Sequence, residues 1–433
     1  MAFIMLLIPL KAKGEEVIRK GESINLERCV EIGLKMHPNI FAATNTVFAS
    51  ESRIGQSKAN YYPQINWSSS YDRISPASGR SRSSFSSFDT NSSSFGTTDG
   101  SFDEYSTGFN LSQTIYDFGK TPAQVKIQKY NLDSSRSDLE SVLNQVVFNV
   151  RQAYYGVIQT KYNRLVAEDT VKQTQQHLEQ AKGFFEAGTR PKFDVTKAEV
   201  DLSNAKLNLI RAENAFKISI VNLNNAMGIP NAPEYMLSED ISFSKYEITF
   251  EDALENAYKN RPDLQSVLAK KLASVKSIEL AKTGYYPVLS GNASYDWSGE
   301  SFPLEHGWVA GASLSFPIFS GFLTKYQVEE AKANLNILKA NEESIKQTIF
   351  LEVQEAYLTL RAAEDAIPTA KLGVEQAQEN LDIANGRYAA GVGNPIEVTD
   401  AEVGLANART SYIQALYADK VAQASLERAM GMR

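Results

Sequence analysis

Few groupings in this chain have the residue types and spacing that chemistry requires. Gly119-Lys120-Thr121 resembles the end of a phosphate-cradling loop, but that pattern needs a glycine at 114, where Thr114 stands. The triplet reads instead as a strand-to-helix turn, with Thr121 as N-cap and Pro122 at the first helical position. Gly391-Val392-Gly393 opens a dinucleotide-type GxGxxG, yet Ile396 occupies the third glycine position and a turn between helices precedes it where a strand is required. His37, His177 and His306 share no metal-ligand spacing, and neither HExxH nor GxSxG occurs. The single cysteine, Cys29, excludes an internal disulfide and a thiolate metal cluster. The expectation is a protein with no catalytic residue, no metal and no cofactor.

Glu397 and Asp400 are the most informative charges. Three residues apart, they share one helical face just after a turn. Asn394-Pro395-Ile396-Glu397 has the form of a capping box with Pro at N1, and acids in a first helical turn complement the helix dipole. The segment around them is one of a pair: "AGVGNPIEVTDAEVGLANAR" at 390–409 matches "AGTRPKFDVTKAEVDLSNAK" at 187–206 in ten of twenty positions, at an offset of 203. The copies differ where it matters, because Asp194 and Lys197 stand in the first at the positions of Glu397 and Asp400. At the same offset "VRQAYY" (150–155) lies over "VQEAYL" (353–358) and "AMGIP" (226–230) over "AMGMR" (429–433). Farther upstream the offset becomes 224, aligning the two "YYP" triplets at 61–63 and 285–287 and His37-Pro38-Asn39 with Arg261-Pro262-Asp263. The chain is therefore an internal duplication, with 21 extra residues in the first half between about 64 and 114. That Ser/Gly-rich stretch lacks any apolar period and reads as a long exposed loop.

Long helices position these segments. From Val195 apolar or small residues fall at 195, 198, 202, 205, 209, 212, 216, 219, 223 and 226, the alternating three-and-four step of a coiled-coil seam. The second copy keeps the seam from Val398 to Ala429 with Asp419 as its single break. The preceding helix runs from Thr121 to about Glu186 through Leu139, Val142, Val146, Val150, Ala153, Val157 and Leu165; some 65 residues give a rod of about 100 Å. Its counterpart runs from about Thr324 to Ala390, and Pro368 is expected to interrupt it, creating a joint around which flanking segments pack.

Between the helices of each half the period switches to two. "QINWSSSY" pairs with "STGFNLSQTIYD", and "LSGNASYDW" with "WVAGASLSFPIF", giving one hairpin per half with aromatic or aliphatic residues on one face and small polar ones on the other. Ile65, Trp67, Phe109, Leu111 and Ile115 fall on the apolar side of the first, and Leu289, Ala293, Tyr295, Trp297, Trp308 and Leu314 on that of the second. Such faces fit a sheet half in water or a barrel with lipid outside. Tyr61, Tyr62, Tyr116, Phe118, Tyr285, Tyr286, Phe316 and Phe319 at the hairpin ends fit a membrane-interface girdle, or simply the strand preference of aromatics. Four strands cannot close a barrel, so closure needs several copies of the chain.

Charge and termini narrow the partners. A formal net charge of −7, without a basic cluster, argues against nucleic acid. "MAFIMLLIPLKAKG" carries an apolar run that is too short to span a bilayer; it fits a leader over about 1–20, a misassigned start or a buried apolar strand. The halves are then 21–230 (hairpin about 61–118, helices about 121–226) and 231–433 (hairpin about 285–319, helices about 324–430).

This order of parts resembles the TolC-like outer-membrane efflux protein family over about Ile24 to Met432. The resemblance rests on "INLERCVEIGLKMHPNI", on "YYPQI" and "YYPVL" before the hairpins, on "IYDFGKT" and "IFSGFLT" after them, and on the paired "AGT" and "AGV" turns. It implies a mainly α fold with a small β part: duplicated helix-hairpin-helix halves forming a long α-helical barrel continuous with a trimeric 12-stranded outer-membrane β-barrel. It also implies a passive exit duct for efflux or type I secretion, in the outer membrane of a Gram-negative-type bacterium and extending into the periplasm. The implied partners are two further copies, outer-membrane lipid, and a periplasmic adaptor with its inner-membrane pump. By the same resemblance Glu397 and Asp400 align with an acidic periplasmic gate. Asp194 and Tyr388 align with a polar network at the closed tip; the family's arginine position falls on Gly393, with Arg190 nearby to substitute. Ala187, Gly188, Thr189, Ala390, Gly391 and Val392 align with the adaptor-contact turns. The competing expectation is a structural coiled-coil or flagellin-like filament protein, which accounts for long heptads and a Ser-rich insertion but not for two hairpins, each between helices.

Overall fold

The structure, a computed structural model, describes residues 18–75, 101–238 and 243–433. The leader reading, apart from its last three residues, and most of the Ser-rich insertion lie outside the described residues. The duplication is visible element by element. Helices α1 (Leu26–Met36) and α5 (Phe250–Asn260) each have 11 residues, and α2 (Pro38–Lys58) and α6 (Pro262–Lys282) each have 21. A one-turn 3-10 helix follows each, at Ala59–Tyr61 and Thr283–Tyr285. The long helices α3 (Lys120–Glu186) and α7 (Leu323–Ala389) have 67 residues apiece, and α4 (Lys192–Ala226) and α8 (Pro395–Ala429) have 35. Proline sets the breaks between the short helices. The residue before it is pushed out of the α region, as seen at His37 (ψ 125°) and Arg261 (ψ 120°), while Pro38 and Pro262 start the next helix.

The described chain packs as two compact units that do not follow the sequence halves. The first comprises the chain up to Phe48, Asp133–Leu268 and Ala340–Arg433; the second comprises Ala49–Leu132 and Ala269–Lys339.

In the first unit the repeat produces two matching cores. Cys29 and Ile32 of α1 pack with Val146, Val150 and Val157 of α3 and with Leu223 and Met227 at the end of α4. Ala253 and Ala257 of α5 pack with Ile349, Val353 and Leu360 of α7 and with Leu426 and Met430 at the end of α8. The seam of α8 is buried at Val398, Ala401, Leu405, Ala415, Ala422, Leu426 and Ala429, and its one polar member, Asp419, is buried with them. Burial pushes the Asp419 carboxyl up, against the pull of Lys420. The repeated "AMG" ends also acquire a cause. Gly228 and Gly431 both have φ +75°, and a β-carbon on them would stand 2.8 Å from His37 Cα and 2.9 Å from Arg261 N respectively. Each glycine thus lets the end of a long helix touch the backbone at a proline break.

A two-stranded parallel pair, β1 (Ser23–Ile24) with β4 (Met236–Leu237), ties the start of the first half to the linker between the halves. Two residues per strand leave no period to read, so the sequence carried no signal for it.

Pro368 lies inside α7, which continues through it, correcting the expected interruption. Loss of one backbone bond is tolerated because α7 is anchored on both sides of the site, by buried Leu360, Ala363 and Ile367 before it and by buried Leu381 and Ala384 after it. The expected packing of a flanking segment does occur one turn earlier. Arg361 donates to the carbonyls of Tyr246 (3.1 Å) and Ile248 (2.6 Å), and Glu364 accepts from the Tyr246 N–H (2.9 Å). At the start of α3 the cap is Asp117, not Thr121. The Asp117 carboxylate accepts from the backbone N–H groups of Gly119 and Thr121 and from the Thr121 hydroxyl, because α3 begins one residue earlier, at Lys120.

The second unit holds a four-stranded antiparallel sheet in the order β2 (Gln64–Ile74), β3 (Phe102–Tyr116), β5 (Val288–Gly299), β6 (Glu305–Ser315). Its register joins the two hairpins edge to edge, with matching faces on the same side of the sheet. Trp67, Phe109, Tyr295 and Trp308 form one cross-strand row and Ile65, Leu111, Ala293 and Ala310 the next, while Ser68, Gly108, Asp296 and Gly307 share the opposite face. A bulge between Thr114 and Tyr116 brings Tyr116 opposite Leu289, so Tyr116 joins the apolar side against simple alternation. Trp308 is 73% exposed, and Trp67, Tyr71 and Leu314 are exposed too, so the apolar face has no cover among the described residues. The eight aromatics at the hairpin ends are likewise exposed; Phe118 packs on Tyr116 and Tyr286. Among the described residues strands β2 and β6 are free edges.

Candidate functional site at the paired helix turns

All the residues singled out at the turns belong to the first unit. Each turn reverses the chain through a glycine with positive φ, Gly188 (+70°) after α3 and Gly391 (+77°) after α7. The N–H groups that follow close back on the helix ends: Gly188 to Phe185 O and Thr189 to Phe184 O, then Gly391 to Tyr388 O and Val392 to Arg387 O. Ala187, Gly188, Thr189, Ala390, Gly391 and Val392 all face solvent.

Behind the turns the structure brings Asp194, Tyr388 and Arg190 together, but not as a hydrogen-bonded chain. Tyr388 is fully buried among Leu381, Ala384, Val398, Ala401 and Leu405. Its ring lies 5.1 Å from that of His177 and 5.6 Å from that of Phe184. The Arg190 guanidinium sits over the same ring at 5.3 Å and donates to the carbonyls of Gly391 (3.4 Å) and Gly393 (2.8 Å), linking one turn to the other. Neither the Tyr388 hydroxyl nor Asp194 Oδ2 has a hydrogen-bond partner among the described residues. Burial, and after it the Asp194 charge, pushes the Tyr388 hydroxyl pKa up. Gly393 cannot be replaced by arginine: a β-carbon there would stand 2.7 Å from the backbone nitrogen of Tyr388. Arg190 reaches the Tyr388 ring from the other turn.

Glu397 and Asp400 both face solvent on the first turns of α8. Asn394 caps α8, its side chain accepting from Ile396 N–H at 3.0 Å, with Pro395 at N1. The capping box is not closed, because Glu397 turns outward to pair with Arg387 at 3.2 Å. The first tip is built differently: Asp194, the counterpart of Glu397, is 4% exposed.

Sequence reading did not anticipate a second group one to two turns deeper. Lys197 donates to both oxygens of Asp201 at 2.6 and 2.8 Å, and Thr399 of α8 donates to Asp201 of α4 at 3.1 Å. Glu402 is buried beside them. Its signal was present in the seam, since Val398, Ala401, Glu402 and Leu405 share one helical stripe. His177, read only for metal spacing, belongs to the same cluster.

Among the described residues at the turns no nucleophile is paired with a base; Arg190 ties one turn to the other, and Glu397 and Asp400 present carboxylates to solvent. Comparison with known proteins gives it a context. The family model described as "Outer membrane efflux protein" matches residues 31–229 and 253–432. The cation efflux system protein CusC of Escherichia coli K12 is 24% identical over 351 residues, covering 76% of this chain and 73% of that protein. The outer membrane protein TolC of the same strain is 24% identical over 352 residues, covering 75% and 69%. The fold is shared with a crystal structure of a membrane protein from Pseudomonas aeruginosa, with a TM-score of 0.80 and 19% identity over 94% of this chain and 92% of that one.

Proposed function

The chain belongs to the outer membrane efflux protein family, and on that basis we propose that it is a passive exit duct whose helix turns form its closed end, opened by partner proteins. As a member of that family it is an outer-membrane channel rather than an enzyme. The observation that carries the reading is the sheet. An apolar face without cover and two free edges on a four-stranded sheet match a segment of a lipid-facing barrel, and three copies supply twelve strands. The aromatics from Tyr61 to Phe319 at the strand ends fit the membrane-interface girdle of that barrel. The exposed turns at Gly188 and Gly391 are the surface for a periplasmic adaptor that joins the duct to an inner-membrane pump. Transport through such a conduit needs no chemistry of its own, so the energy comes from the pump. The test is fractionation: the protein is expected in the outer membrane as a heat-modifiable trimer. Recovery as a soluble species or a filament would reject the duct.

Glu397 and Asp400 are assigned to the gate. Three copies set six carboxylates around one axis, where mutual proximity attracts cations. Glu397→Ala with Asp400→Ala is expected to raise the half-blocking concentration of a divalent cation about tenfold in planar-bilayer recordings. Asp400→Ala gives most of the effect, because Arg387 already meets the Glu397 charge. Block unchanged in the double variant rejects the gate assignment.

A further inference from the structure

The cluster behind the turns contains one ionisable group too many. α4 contributes Asp194, Lys197 and Asp201, the first turn Arg190, α3 His177, α7 Tyr388, and α8 Thr399 and Glu402. The Thr399–Asp201 bond crosses between the two helix pairs. With Lys197 and Arg190 cationic and Asp194 and Asp201 anionic, the charges balance. Ionising Glu402, which is 5% exposed and faces Asp201, adds a buried negative charge with no cation left to meet it. The cluster is also under-bonded: His177 Nδ1, Asp194 Oδ2 and the Tyr388 hydroxyl are all buried without a hydrogen-bond partner among the described residues. Such groups favour a rearrangement that lets water in.

We propose that Glu402 is a proton-operated latch: neutral, it lets α8 lie against α4 through the Thr399–Asp201 bond, and ionised, it drives the helix pairs apart at the turns. The latch rests on the reading of the turns as the closed end of the duct.

Burial, and then Asp201, pushes the Glu402 carboxyl up to about 7. The closed state therefore holds this proton more tightly than an opened one, where the group returns toward its ordinary 4.5. Closure weakens by up to tenfold per pH unit as the pH rises between these values. His177 acts with the opposite sign. Burial is the main cause lowering its pKa below the ordinary 6.5, Lys197 adds to this, and Asp201 and Asp194 offset part of it. Its protonation weakens closure as the pH falls below 6.5. The two effects oppose each other below about pH 6.5, and Glu402 acts alone above it.

Hydrogen exchange of the purified full chain in detergent reads the opening equilibrium directly, as protection of amides in 192–205 and 395–405 corrected for intrinsic rate. In the unsubstituted protein protection is expected to fall about twofold from pH 6.5 to 8 and then level off. His177→Gln extends the fall down to about pH 4.5, at close to tenfold per unit, and Glu402→Gln abolishes the fall above pH 6.5. The same pH profile with and without Glu402→Gln overturns the latch, as does a uniform loss of protection at every pH, which would give Glu402 a packing role only. Planar-bilayer current from the same preparation tests the duct separately: absence of pores at every pH rejects the duct reading, whatever the exchange profile shows.

Discussion

Tyr388→Ala is expected to loosen both turns at once and to cost about 3–5 kcal/mol locally, the range for deleting a large buried aromatic. The ring is the common wall of the site. It fills the space between Leu381, Ala384, Val398 and Leu405, meets His177 and Phe184 of α3, and is the platform for the Arg190 guanidinium that ties the turns together. Removing it leaves a cavity near Asp194, whose Oδ2 already lacks a hydrogen-bond partner among the described residues, and frees Arg190 to go to solvent. In bilayers the variant should conduct without a partner protein, with an open time well above that of the unsubstituted channel. Tyr388→Phe is the informative control. Because the hydroxyl is buried without a hydrogen-bond partner, its loss should be neutral or slightly stabilising, and the channel should stay shut. If Tyr388→Phe opened the channel as widely as Tyr388→Ala, closure would depend on the hydroxyl and the packing argument would fail.

The second large effect lies at the other end of the α8 seam. Gly431→Ala is expected to cost about 2–4 kcal/mol, combining a left-handed backbone with overpacking against main chain that cannot yield. The added β-carbon would stand 2.9 Å from Arg261 N and from both Asn260 C and O, at the break between α5 and α6. Arg261 is itself fixed there by Asp263 and Glu352, so the break cannot swing away without losing those pairs. Gly228→Ala should behave alike against Met36 and His37. Gly391→Ala separates the two causes: it shares the positive φ but has open space around it, and should cost only about 1 kcal/mol. Thermal resistance to proteolysis, measured on the three variants side by side, checks the order. Equal losses in Gly431→Ala and Gly391→Ala would show that the close approach has no energetic weight.

The elements were largely legible because their periods are long and stated twice. The α4 and α8 seams repeat over ten positions each, and the hairpins alternate over whole strands, so burial and register follow from spacing alone. Single-residue readings fared less well where a neighbour competed for the same group. Thr121 looked like a cap, but Asp117, with a charged carboxylate, takes the free N–H groups. Glu397 looked like the return arm of a capping box, but Arg387, ten residues back across the turn, draws it outward. Pro368 looked like a break, but packing on both sides holds α7 continuous.

The sequence by itself determined the duplication, the four strands with one apolar face, the two glycine turns and the pairing of Glu397 with Asp400 on the second tip where the first has Asp194 and Lys197. These are properties of composition and spacing along a single chain. The tertiary structure decided which groups meet across helices. It put Arg190 over Tyr388, left no room for a side chain at Gly393, and buried Glu402 against Asp201. Glu402 and its counterpart Glu199 are the same residue type in matching repeats, yet one is buried and the other exposed. Burial is set by the helix on the far side of the seam, and no spacing along one chain encodes that.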